Sequence, residues 1–153
     1  MSSSAPAGFV PQAQRLLQEV LQSLRGLTPV PLEITSVEPF DGTEEQRVAI
    51  RALGLPVDPD VPRPQEVSVT GRAGGEEFQF FLLDRDTPDV RAATCANTMA
   101  DAVQEALGPL PFPTCPGHFH PAVVEHRAPR VYWCCPTARG TALVAIADST
   151  DSP

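Results

Sequence analysis

The chain has 153 residues, 42% of them apolar and 20% charged, enough for one domain with a buried core. Its net charge is −8 and its pI about 4.7, and its eleven basic residues are all arginines that form no cluster, so the basic footprint of a nucleic-acid-binding surface is missing. No run reaches the roughly 18–20 apolar residues of a membrane span, and the N-terminus has neither the basic nor the apolar region of a secretory signal.

These features predict a cytoplasmic domain with no nucleic-acid or membrane partner, in a compartment where thiols stay reduced. The polar ends, Met1–Gly8 and Asp148–Pro153, are expected to be disordered tails around a single domain over residues 9–147.

Residues 11–25, PQAQRLLQEVLQSLR, predict the first helix, with Pro11 at its first position and Gly26 and Pro29 at its end. Ala13, Leu16, Leu17, Val20, Leu21 and Leu24 recur at three- and four-residue steps and form an apolar stripe. Such a stripe packs on the chain's own sheet or, alternatively, serves a homodimer or another protein partner.

Leu32–Glu38 and Gln46–Leu53 alternate apolar and polar residues and predict two strands. Between Gln46–Leu53 and the next strand, GLPVDPDVPRPQ is too rich in proline for a central strand and reads as a surface loop. Glu66–Gly71 and Glu77–Leu83 flank Gly74–Gly75, a hairpin signal.

A second helix is predicted over Pro88–Leu107, with Thr87 as its N-cap and Gly108–Pro109 as its stop. Its inward face carries Ala92, Cys95, Ala96, Met99, Ala100 and Val103, with Cys95 as a small core residue. After the stiff connector PLPFP, Ala122–Glu125, Arg130–Cys135 and Thr141–Ile146 are strand-like. Strands flanked by helices without βαβ alternation predict an α+β fold. The expected architecture is an antiparallel sheet of about four strands with two flanking helices and a C-terminal β-hairpin.

Chemistry concentrates in TCPGHFHPAVVEHRAPRVYWCCPT, residues 114–137, which hold all three histidines and three of the four cysteines. Cys115 and His118 have the C-x2-H spacing of a tight turn that aims two ligands at one ion, and His120 adds a third. If the hairpin turns near residues 127–128, His120 lies opposite Cys134 or Cys135. Successive strand side chains face opposite ways, so only one of those cysteines joins the set. Cys115, His118, His120 and one of Cys134 and Cys135 then make an S2N2 group suited to tetrahedral zinc. His126, six residues from His120, is expected to be a solvated residue beside the turn.

Over residues 114–136 the pattern resembles a zinc ribbon or knuckle, although a vicinal Cys-Cys stands where a ribbon has its second C-x2-C. The resemblance implies a structural metal, because four protein ligands leave no position open for water.

A second reading is a thiol enzyme or redox protein centred on Cys115, with His118 or His120 as its base. A third is that the cysteines are buried apolar residues beside Trp133. The functional expectation is a small, acidic, non-catalytic domain that binds another protein as adaptor, chaperone-like partner or assembly subunit. In layout it is similar to secretion-chaperone-like proteins, with a zinc knuckle pinning the C-terminal hairpin.

Overall fold

The computed structural model describes residues 8–40, 52–54, 65–138 and 142–148. The expected proline-rich loop lies outside these residues, apart from Gly54 and Gln65 at its ends. The expected strand Gln46–Leu53 lies outside them except for Ala52 and Leu53, which are not in strand conformation.

The elements run α1 (Phe9–Arg25), β1 (Leu32–Pro39), β2 (Glu66–Ala73), β3 (Glu76–Leu83), α2 (Pro88–Leu107), β4 (Val123–Arg127), β5 (Arg130–Cys134) and β6 (Ala142–Asp148). They form an α+β fold with two antiparallel three-stranded sheets, ordered β1-β2-β3 and β4-β5-β6. The second sheet is the expected C-terminal hairpin extended by β6.

Helix α1 packs on β1 and β6, one outer strand from each sheet, and α2 packs against strands of both. One apolar core results. The α1 stripe lies within it: Ala13, Leu17, Val20, Leu21 and Leu24 are buried, Leu16 is half-buried, and Phe9 extends the stripe by one turn. This intramolecular packing accounts for the apolar face. Among the described residues, no helix is long and apolar enough to cross a membrane.

In the first sheet, Val67, Val69 and Ala73 of β2 turn inward opposite Leu82, Phe80 and Glu76 of β3. Gly74–Gly75 closes the hairpin, and Gly74 takes the left-handed conformation (φ +63°) open to glycine without penalty. Gly71 is needed for a different reason. A Cβ there would lie 2.5 Å from Cζ of Phe78 and 2.6 Å from the carbonyl oxygen of Glu33. Beside this close approach, β1 has an irregularity between Ile34 and Ser36, and the Thr35 hydroxyl donates to the Thr70 carbonyl at 3.2 Å.

Helix α2 has the sequence-predicted bounds. Its inward face also carries Arg91, only 7% exposed. The guanidinium donates to the carbonyls of Asp84 and Asp86 in the β3–α2 loop and lies 5.5 Å from the Phe9 ring centroid. Hydrogen bonds and the aromatic face offset its desolvation and tie the loop to the start of α1. Cys95 is fully buried, and burial pushes its thiol up to about 12.

At the other end of α2, Gln104 fastens the connector that leads to the Cys/His segment. Its Nε2 donates to the carbonyls of Gly108 and Leu110, and its Oε1 accepts from the Phe112 N–H at 2.7 Å. Phe112 and Pro113 are buried, so Cys115 enters from a fixed anchor.

Candidate metal centre

The segment from 113 to 122 folds back on itself. Ala122 N–H donates to the Pro113 carbonyl at 2.7 Å, Thr114 bridges to Pro121, and Cys115 N–H donates to the His120 carbonyl at 3.3 Å. Within this loop, His118 N–H donates to the Cys115 carbonyl at 3.1 Å, which closes a four-residue turn over Cys-Pro-Gly-His. Proline in its second position and Gly117 at φ +77° in its third are the residues a type II turn requires. The turn sets the first and fourth side chains side by side.

The second approach comes from the hairpin. The β4–β5 ladder runs from Val123 opposite Cys134 to Arg127 opposite Arg130, so the turn is Ala128–Pro129. It lies later than residues 127–128, because Arg127 is still paired, and His120 falls opposite neither cysteine. The His120 Nε2 instead lies 3.3 Å from the Thr137 hydroxyl. Cys135 still reaches the site because it follows the last paired residue of β5, and its sulfur meets His118.

Cys115, His118, His120 and Cys135 thus form one group whose potential ligand atoms all lie within 4.8 Å of one another. These four residues can hold a metal ion. Cys134, the fifth sequence candidate, is outside the group and fully buried, among the charges of Arg127 and Glu125. Of the vicinal pair, only Cys135, just beyond the end of β5, brings its sulfur to the group.

His126 also lies outside the group. It sits on β4 with a side chain 44% exposed and its Nδ1 3.5 Å from a carboxylate oxygen of Asp89 at the start of α2.

Both sulfurs converge on one ring nitrogen, His118 Nδ1 being 3.5 Å from Cys115 Sγ and 3.3 Å from Cys135 Sγ. Zinc bonds of about 2.3 Å to sulfur and 2.0–2.1 Å to nitrogen, at tetrahedral angles, set S and N about 3.6 Å apart. The group is thus close to ligand spacing without an ion. His120 stacks on His118 with centroids 4.9 Å apart, and its Nδ1 is 3.3 Å from the Pro121 carbonyl. A proton on Nδ1 donated to that carbonyl leaves the Nε2 lone pair free for a metal.

The two thiols differ electrostatically. Cys135 Sγ has the Thr137 hydroxyl at 3.3 Å and accepts from Ala138 N–H at 3.3 Å. The Thr137 hydroxyl is the main cause that lowers this thiol from 9.0 to about 6, against desolvation. Cys115 is pushed above 9.0, chiefly by desolvation and then by its interaction with Cys135. Thiolate character therefore sits on Cys135, whereas the enzyme reading places the nucleophile at Cys115. Both sulfur residues are buried, while His118 is exposed and His120 half-buried, so the group opens to solvent on its imidazole side.

No family model, curated protein or solved structure matches the chain. The reading of the site rests on its own geometry.

Three structural residues escaped the sequence reading. Arg91 and Gln104 act through backbone carbonyls and, for Gln104, a backbone N–H, which no residue pattern displays. Thr137 follows Cys-Cys-Pro closely, and a hydroxyl two residues beyond a ligand cysteine was the available signal.

Proposed function

We propose that Cys115, His118, His120 and Cys135 bind one zinc ion as a structural centre in a non-catalytic domain that binds another protein. The observation that carries the zinc assignment is the convergence of two sulfurs and two imidazoles at near-ligand separations. Two thiolates and two neutral imidazoles suit a tetrahedral, redox-inert ion, and four protein ligands leave no place for a reactive water. The Pro121 carbonyl, the Thr137 hydroxyl and the Ala138 N–H supply the outer hydrogen bonds that orient ligands. The ion would fasten the turn after the α2 connector to the end of β5.

Support for protein binding is Phe119, which is 85% exposed between the two ligand histidines. Its placement would depend on the ion, so zinc would set the posture of an apolar side chain offered to a partner. Metal analysis of the purified chain tests the first half of the proposal, with about one zinc per chain expected. For the second half, host proteins retained by the wild type should be lost with Phe119→Ser, whose zinc content and melting stay unchanged. Equal retention by both proteins removes Phe119 from the account.

A further inference from the structure

We infer that the centre is redox-labile: oxidation joins Cys115 to Cys135 in a disulfide and expels the ion. This rests on the zinc reading above and concerns the regulation of that site.

The ligand set contains two sulfurs, from chain segments twenty residues apart in sequence. They lie within 4.8 Å of each other, interact directly and share His118 Nδ1 as a neighbour. They are the two cysteines whose sulfurs the group brings together. Cys95 is sealed in the core by α2, and Cys134 lies outside the group. The exposed His118 and half-buried His120 form the outward side, so lifting an imidazole opens the sulfurs to a small oxidant such as hydrogen peroxide.

The chemistry balances with peroxide as the oxidant. One thiolate attacks a peroxide oxygen, the O–O bond breaks, and sulfenic acid and hydroxide form. The second thiolate attacks the sulfenic sulfur, the S–S bond forms, and a second hydroxide leaves. Two electrons pass from the sulfurs to peroxide, and two protons from solvent turn the hydroxides into water. The disulfide sulfurs are neutral and bind zinc poorly, and two imidazoles alone do not retain it.

The flanking backbone is held independently of the ion. The 113–122 fold-back is held by its own hydrogen bonds, and β5 by its neighbours on both sides. A covalent cross-link takes over the position of the ionic one, and a thiol reductant with zinc restores the first state.

The test uses the full chain, with zinc content measured before oxidation. Hydrogen peroxide is added in small excess, released zinc is read with a chromogenic chelator, and unreduced peptides are mapped by mass spectrometry. The expected result is release of the bound zinc with a Cys115–Cys135 peptide, reversed by dithiothreitol and zinc. Cys95→Ala and Cys134→Ala should release zinc as the wild type does. Zinc retained under peroxide, a Cys134–Cys135 bond, or sulfinic acid without a disulfide overturns the inference and leaves the zinc reading intact. A chain that holds no zinc before oxidant is added overturns both.

Discussion

Two adjacent cysteines, replaced one at a time by alanine, should give opposite results. Cys135→Ala removes one of four ligands. Loss of an outer hydrogen bond at a metal site already weakens binding about 10–100-fold, so loss of a ligand should exceed about 100-fold. Cys134→Ala removes a sulfur that is fully buried outside the group. Its cost is that of one heavy atom taken from a packed interior, about 1 kcal/mol, or roughly 2–4 °C in melting temperature for a chain of this size. Each variant is loaded with zinc, dialysed against a competing chelator and assayed for metal per chain. Cys134→Ala should keep the wild-type stoichiometry and Cys135→Ala should lose it. Reversed outcomes would show that β5 presents its other face to the site; full retention by both would refute the ligand set.

Further expectations concern the fold and the metal-free thiols. Gly71→Ala should destabilise by about 1–3 kcal/mol in chemical denaturation, because its Cβ would overlap the Glu33 carbonyl and the Phe78 ring; a neutral result refutes that close approach. Arg91→Ala should cost about 2–3 kcal/mol through its lost charged hydrogen bonds, and thermal melting equal to wild type would contradict it. In metal-free protein the Cys135 thiol titrates near 6 rather than 9.0, so its ionised form stabilises the fold fully above pH 9. That contribution is lost as pH falls through 6, and Thr137→Val should move the alkylation midpoint of Cys135 upward. Cys95, with its thiol near 12, should resist alkylation at pH 8 until the chain unfolds; rapid native labelling there contradicts its burial.

Local signals were the most legible part of this sequence. Pro88 and Gly108 bracket α2, Gly74–Gly75 marks a hairpin, and the three- and four-residue spacing of α1 identifies its core face, all from residues close together in the chain. Division into two sheets was less visible, because β1–β2 and β5–β6 pairing depends on partners that local alternation cannot name. The candidate site shows the same division. The Cys-Pro-Gly-His turn was readable because proline and glycine dictate its geometry. The choice of Cys135 over Cys134 was not, because it depends on where the hairpin turns, and Arg127–Arg130 pairing moves that point. Arg91 shows why a charge on an apolar face resists sequence reading: its burial depends on carbonyls of a neighbouring loop.

The most direct test of the central claim is zinc content of the purified chain, paired with chelator titration followed by fluorescence of Trp133. This single tryptophan is 1% exposed and two residues before Cys135. The account predicts about one zinc per chain, with chelation changing the emission and lowering the melting temperature, and added zinc restoring both. A chain that is metal-free, folded, and unchanged in emission and melting by zinc would contradict it.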